Sequence, residues 1–197
     1  FKNNFNIYFK NLNSIGKDDP TYKSSPRLEA MNIVEFSSSY PLTKSNSLQN
    51  EIDIQFQNCE TFVDLPSEEQ IRRTCDMVLQ AEGIQDCILS VVICDDDFIL
   101  PLNRDFRGKD KPTDVLSFAQ REGDFANKED PLLGDVIVSF ETTCRQSIEH
   151  NQTTTQELEL LLTHGILHLL GYDHIEDEDA VVMEERERII LESIRNP

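Results

Sequence analysis

Apolar and polar positions repeat along the chain with a period of about 2 residues in some segments and about 3.6 in others. The first period predicts strands and the second predicts helices. Alternation at Ile52, Ile54 and Phe56 is typical of a half-buried strand. The β-branched and apolar run from Ile88 to Cys94 predicts a strand that is buried on both faces. Further strands are predicted at residues 33–36, 114–118 and 135–140, and a polar loop at 120–131 joins the last two.

Helical spacing of apolar residues marks the other segments. Ser67 and Gln70 are placed as a capping box that opens a helix, which Gly83 ends. The acidic run 95–97 can cap a short helix, and we expect Pro101 to interrupt it because proline has no backbone N–H to donate. Three more helices are predicted at 142–150, 154–170 and 181–194. Strands separated and followed by helices predict an α+β domain with a small mixed sheet.

The 197 residues suffice for one domain with its own core and are too few for two. The first 30 residues differ from the rest because they are rich in Asn, Lys and Ser, lack either period, and carry five basic against three acidic side chains. We therefore interpret residues 1–30 as an N-terminal extension and residues 31–197 as a single domain. The extension has the composition of a disordered or non-native appendage, and a targeting peptide is the alternative.

Composition limits the possible functions. The net charge of −19 argues against binding to a polyanion through a broad attractive field, so a nucleic-acid partner requires a local basic patch. No apolar run approaches the roughly 20 residues that cross a bilayer, and we expect no membrane contact. The five cysteines are scattered without a C-x-x-C pair, which is typical of reduced thiols in a cytosolic protein. We therefore expect a cytoplasmic location.

Three of the four histidines lie within eleven residues of one another, at His164, His168 and His174. On a helix, the first two project from one face, one turn apart. Gly171 can end that helix and turn the chain, so that the third histidine returns to the first two. Three neutral imidazoles with one open coordination position match a catalytic zinc, since structural zinc sites usually fill all four positions with protein ligands. We predict one Zn²⁺ per chain.

The residue after the first histidine separates this site from a protease. The spacing H-x-x-x-H-x-x-G-x-x-H is that of the extended zinc-metalloprotease motif, and it predicts a zincin-like domain with its histidine helix near the C-terminus. Proteases with this motif place a glutamate directly after the first histidine, as general base. Here that position is Gly165. A peptide hydrolase that uses the standard mechanism is therefore disfavoured.

The segment 164–174, HGILHLLGYDH, resembles the signature of the YbeY endoribonucleases, which are bacterial rRNA maturation factors. The segments 102–118 and 133–138 resemble two further blocks of that family in the same order. The resemblance implies a zinc-dependent single-strand endoribonuclease that acts in processing of the 3′ end of small-subunit ribosomal RNA and in ribosome quality control. It also implies that the three histidines bind zinc and that Arg107 is the prominent arginine of the family.

Arg107 lies in the densest basic cluster of this acidic chain. A guanidinium can hold a phosphate through two parallel hydrogen bonds and stabilise the charge that develops on it, so Arg107 is our catalytic candidate. The candidates for substrate binding are the polar side chains that surround it in sequence: Arg104, Lys109, Lys111, Asp114 and Ser117. An ordinary solvated loop or an exposed strand face is the alternative for these five. Asp173 could orient a histidine through its carboxylate or cap the turn.

Two other functions stay open. The protein could be a ribosome-assembly factor whose metal is structural, or, less favourably, a zinc-dependent peptide hydrolase. Because the basic stretch is short, affinity for free RNA should be weak and salt-dependent. We therefore expect the small ribosomal subunit, or a ribosomal protein, to present the ribosomal RNA, with the acidic final helix facing away from it. The nucleophile is either a metal-bound water or the ribose 2′-hydroxyl.

Overall fold

The computed structural model describes residues 50–121 and 130–196. Four strands and five helices follow one another in these ranges: β1 (Glu51–Gln57), α1 (Glu68–Ala81), β2 (Ile88–Cys94), α2 (Asp96–Arg107), β3 (Val115–Ala119), β4 (Leu132–Ser139), α3 (Phe140–Glu149), α4 (Thr154–Leu169) and α5 (Asp177–Arg195). The predicted extension at 1–30, the predicted strand at 33–36 and most of the loop at 120–131 lie outside the described residues.

The strands form one mixed sheet in the order β1-β2-β4-β3. Strands β1, β2 and β4 run parallel, and β3 pairs antiparallel with β4 at one edge. The two central strands, β2 and β4, are buried along almost their whole length, which explains their continuous apolar runs. The predicted α+β class and the small mixed sheet are therefore confirmed.

The two faces of the sheet carry cores of unequal size, because successive side chains of a strand point to opposite faces. The larger core includes Val91, Val136 and Ile166 and gathers apolar residues of α1, α3, α4 and α5. The smaller core, with Val92 and Ile137, is covered by α2. The histidine-bearing helix α4 packs on strands β3 and β4, and α5 packs on α4 and α1.

Helix α2 runs through Pro101 without interruption, so the expected break is wrong. The proline removes the hydrogen bond to the carbonyl of Asp97, but Asp97 is exposed. Burial of Ile99 and Leu102, which are 0% and 2% exposed, anchors the helix on both sides of the proline. Tertiary packing thus outweighs the local penalty, and α2 extends far enough to carry two arginines in its last turn.

Most other predicted bounds differ from the structure by a few residues. The capping box is confirmed, since Ser67 Oγ accepts a hydrogen bond from the backbone N–H of Gln70 while Gln70 Oε1 accepts one from that of Ser67. The strand predicted at 135–140 ends at Ser139, because the Ser139 hydroxyl caps α3 by accepting from Thr142 N at 3.2 Å. All five cysteines are free thiols. Every helix in the described part of the chain is too short or too polar to cross a bilayer.

Asp135 is a buried acid on β4. It is 3% exposed, and its Oδ2 has no hydrogen-bond partner among the described residues. Burial raises the pKa of Asp135 to about 6, against the opposing effect of hydrogen bonds from Ser90 and Gln120. An unfolded chain has an Asp pKa of about 3.9. Between these two values the folded protein retains a proton that the unfolded chain has lost, so stability falls as the pH rises.

We expect Asp135→Asn to remove this pH dependence. The free energy of unfolding of the wild type, minus that of the variant, should fall by about 2 kcal/mol from pH 4 to pH 7, because most of the cost of ionising the buried carboxyl appears between its unfolded and its folded pKa. Urea unfolding of both proteins at several pH values measures the difference. A difference that stays constant over this range would contradict the assignment.

Candidate metal centre

Helix α4 presents His164 and His168 on one face, as the spacing predicts. After the helix ends, Gly171 adopts a φ of 91°, which reverses the chain. This turn brings His174 back to the helix, with its ring centroid 5.4 Å from that of His164 and 5.0 Å from that of His168. The three predicted ligands are therefore brought together by one helix and the turn that follows it.

The spacing of the three rings suits a single metal ion. One nitrogen from each ring can be chosen so that all three lie within 4.8 Å of one another. The Nε2 atoms of His164 and His168 are 2.9 Å apart. Two nitrogens bound to one tetrahedral zinc, each at 2.0–2.1 Å, are about 3.3 Å apart. A small adjustment of the side chains would allow both nitrogens to bind the same ion.

The outer nitrogens of two rings have acceptors that fix their protonation. His168 Nδ1 lies 2.9 Å from the carbonyl oxygen of Tyr172, and His164 Nδ1 lies 2.6 Å from Oε1 of Glu187 on α5. Because both partners are acceptors, we assign the proton to Nδ1 in the uncharged form of each ring. Each Nε2 then carries a lone pair, and these are the atoms that face each other inside the cluster.

Burial keeps two of the three rings neutral. It lowers the pKa of His168 to about 3, with further lowering from His164, His174 and Arg107. Burial and the neighbouring His164 also lower the pKa of His174. Both imidazoles are therefore uncharged at neutral pH, which is the form that binds metal ions. The cluster has the donor set and the spacing of a three-histidine metal centre.

Gly165 faces the sheet rather than the cluster. A Cβ at this position would lie 2.7 Å from Val136 Cγ1, 3.0 Å from Ser117 Oγ and 3.3 Å from Val115 Cγ2. Carbon atoms in favourable contact are about 3.5–4.0 Å apart, so no side chain fits here without movement. The structure therefore cannot accommodate a protease-type glutamate after the first histidine. Ser117, a predicted substrate-binding residue, lies at this contact between β3 and α4.

Arg107 is the predicted catalytic residue, and it lies in the last turn of α2, half-buried. Burial lowers the pKa of Arg107, and the nearby charge of Asp114 opposes this effect. The charge of Arg107 in turn contributes to the lowered pKa of His168. An arginine keeps its charge in proteins. A cationic side chain is therefore close enough to both the histidine cluster and a buried carboxylate to interact electrostatically with each.

That carboxylate, Asp114, is 7% exposed, and both of its oxygens have donors. Oδ1 accepts from the Thr113 hydroxyl at 3.0 Å and from Val115 N at 2.9 Å, and Oδ2 accepts from Gln146 Nε2 at 2.9 Å. These contacts fix Asp114 against α3. Its surroundings suit a residue that holds other side chains in place better than one that contacts substrate.

The remaining basic candidates lie at the end of α2 and in the loop behind it. Arg104 is exposed and pairs with Asp105 at 2.9 Å. The loop is held by Asn103, which is 1% exposed and donates from Nδ2 to the carbonyl of Lys111 at 2.7 Å. Lys109 is half-buried in the same loop. The basic cluster is thus anchored to α2 rather than being a loose surface loop.

Two further acidic residues lie close to the histidines. Asp173 Oδ1 accepts from the backbone N–H of His174 at 2.6 Å, which is the turn-capping alternative of the two we considered. The acidic final helix does not face wholly away from the site, because Glu187 contacts His164. A signal for Glu187 existed in the sequence, where it lies four residues after Met183 and three before Ile190, inside the apolar stripe of that helix.

Comparison with known proteins agrees with this α+β domain and its histidine cluster. A family model described as Endoribonuclease YbeY matches residues 53–195. The Endoribonuclease YbeY of Fusobacterium nucleatum is 42% identical over 146 residues, which are 72% of this chain and 90% of the relative. That of Desulforamulus reducens is 39% identical over 153 residues, which are 76% of this chain and 94% of the relative. The chain belongs to the YbeY family.

A solved structure supports the same fold. The solution structure of TM1509 from Thermotoga maritima matches with a TM-score of 0.50 and 28% sequence identity. The match covers 72% of this chain and 88% of the other.

We expect Gly165→Ala to destabilise the protein. In an unconstrained helix interior this change stabilises by about 0.5–1 kcal/mol. Here the added methyl group would meet Val136 and Ser117, and overpacking of this kind costs about 1–3 kcal/mol. Denaturant unfolding measures the change, and Thr155→Ala, at an exposed position of the same helix, is the control. A more stable Gly165→Ala variant would show that the helix does not approach the sheet this closely.

Proposed function

We propose that the protein is a zinc-dependent single-strand endoribonuclease that acts in processing of the 3′ end of small-subunit ribosomal RNA and in ribosome quality control, in the cytoplasm. The observation that carries this proposal is the convergence of His164, His168 and His174 in one cluster with Arg107 nearby. Membership of a family whose relatives are named endoribonucleases supports the RNA substrate.

The metal is one Zn²⁺ per chain, held by the three histidines. The two Nε2 atoms that face each other, and the acceptors behind the rings, support this assignment. When bound, such an ion supplies a Lewis acid for a phosphoryl oxygen and lowers the pKa of a coordinated water. Three imidazole nitrogens would favour zinc over magnesium or calcium, which prefer oxygen ligands.

Arg107 binds the scissile phosphate and stabilises the negative charge that develops on it during cleavage. Its half-buried position strengthens this electrostatic effect, because partial exclusion of water lowers the local dielectric constant. Asp114 holds the guanidinium in place and is itself held by Gln146. Arg104, Lys109, Lys111 and Ser117 contact neighbouring parts of the RNA. Asp173 shapes the turn that carries His174.

The acidic charge of the chain bears on how the substrate is delivered. With a net charge of −19 and one basic cluster, affinity for naked RNA is low and a partner must present the strand. We propose the small ribosomal subunit, or one of its proteins, as that partner. A non-catalytic assembly factor could have the same net charge and the same basic cluster. The activity experiment below therefore has to distinguish this second function from the first. A peptide hydrolase is disfavoured because the structure leaves no room for a side chain at Gly165.

Purified without chelator, the protein should contain about one zinc per chain by elemental analysis, because three histidine donors suffice for a catalytic zinc site. His168→Ala should lose most of this zinc. The matched control is His150→Ala, since His150 lies outside the cluster and contacts Glu157 instead. A His168→Ala variant with full metal content would rule out the proposed ligand set.

The wild type should cleave single-stranded ribosomal RNA and leave casein intact, with faster cleavage of RNA on small subunits than of naked RNA. Arg107→Ala should lower kcat/KM by about 100- to 1000-fold, the usual loss when a donor to developing negative charge is removed. Arg188→Ala is the control, because Arg188 is exposed on α5 and pairs with Glu185 and Glu192.

The outcomes of this experiment separate the candidate functions. RNA binding without cleavage by the wild type would favour the assembly factor. Equally fast cleavage of naked and subunit-bound RNA at physiological salt would exclude the need for a partner. Product ends bear on the nucleophile, since a 2′,3′-cyclic phosphate marks attack by the ribose hydroxyl.

A further inference from the structure

Glu187 is an acidic residue on the packed face of α5. The buried residues of this helix, which form its contact with the domain, are Met183, Ile190, Leu191 and Ile194. The side chain of Glu187 is 14% exposed, whereas those of Glu185 and Glu192 on the same helix are 56% and 61% exposed. A carboxylate that is largely removed from water needs a hydrogen-bonding partner to offset its lost hydration.

The partner is the imidazole ring of His164, in the histidine cluster. Oε1 of Glu187 lies 2.6 Å from Nδ1 of His164, a short separation that is typical of a hydrogen bond to a charged acceptor. The contact is on the outer side of the ring, since Nε2 of the same ring faces His168. Glu187 is therefore behind the ligand and not among the donors that would surround an ion.

The other helical ligand has a different kind of acceptor. His168 Nδ1 is held by the backbone carbonyl of Tyr172, which is a neutral group. A carboxylate behind an imidazole fixes the orientation of the ring, as a carbonyl does, and its full negative charge also makes the inner nitrogen a stronger donor. The two histidines of α4 are thus equivalent in the sequence motif, but the acceptor of their Nδ1 atoms is charged for His164 and neutral for His168.

We propose that Glu187 is a positioning residue of the metal centre, whose carboxylate holds His164 in the Nδ1-protonated tautomer and strengthens Nε2 as a metal donor. The inference rests on the proposed zinc site. It extends the functional unit beyond the segment 164–174 to the last helix of the domain. Docking of α5 on α4 then becomes part of metal binding, because this docking places the carboxylate.

Zinc affinity of the full chain tests the inference, measured by competition with a chromogenic chelator. Glu187→Gln keeps the size of the side chain and an oxygen acceptor but removes the charge, and it should weaken zinc binding by about 10- to 100-fold, the usual loss for such an outer partner. Glu187→Ala should lose at least as much. Glu184→Gln removes one charge from an exposed position of the same helix, and its affinity should stay within about twofold of the wild type.

A second measurement separates positioning from a general structural role. In NMR spectra of the metal-free protein with ¹⁵N-labelled histidines, the His164 ring should be the Nδ1-protonated tautomer in the wild type and in Glu184→Gln, and should shift toward a mixture in Glu187→Ala. Circular dichroism establishes that each variant is folded, and if the alanine variant is unfolded, the nearly isosteric Glu187→Gln carries the test.

The two proposals fail in distinguishable ways. Zinc binding by Glu187→Gln that is as tight as in the wild type overturns the role of Glu187 and leaves the three-histidine site standing. A wild type that binds no zinc overturns both. Equal weakening by Glu187→Gln and Glu184→Gln also overturns the role of Glu187, because it would reduce the effect to overall charge.

Discussion

Helix α4 lies against strands β3 and β4 at a distance that only a glycine permits, since at Gly165 a single added carbon would meet Val136 and Ser117. This contact sets the depth and the rotation of the helix on the sheet. Because His164 and His168 flank the glycine on the same helix, their rings are placed by the same contact. The identity of one small residue therefore determines both how the core closes and where the metal donors lie.

The charge of the centre follows from its burial. The imidazoles of His168, which is buried, and of His174, which is half-buried, are uncharged, whereas Arg107 brings a positive charge to the site, as the bound ion would in the proposed holoenzyme. Glu187 and Asp114 place one carboxylate behind a histidine and one beside the arginine. An acidic chain can in this way offer a phosphate a local positive site, although its overall field is repulsive.

The parts of the structure that depend on local pattern could be predicted from the sequence. The capping box at Ser67, the buried strand at 88–94 and the grouping of the three histidines all arise within a few turns of chain, where periodicity and glycine placement are informative. The helix through Pro101 was missed because packing of its apolar face outweighs the cost of the proline.

Long-range contacts account for the other omissions. Gln146 reaches Asp114 across 32 positions of the chain, and Glu187 reaches His164 across 23. A single sequence holds no direct record of such pairs. Only the unusual place of Glu187 within an apolar stripe marked it in advance, and no comparable mark distinguishes Gln146.

The turn at Gly171 has a consequence for the order in which the site is assembled. The segment that supplies all three imidazoles is eleven residues long, so bringing them together closes only a short loop and costs little chain entropy. Arg107 lies 57 positions before the first of them, and its approach requires the sheet to be formed. In the proposed metalloenzyme, a partly folded chain would therefore bind the metal ion before it gains the arginine, so that chelation would precede catalytic competence during folding.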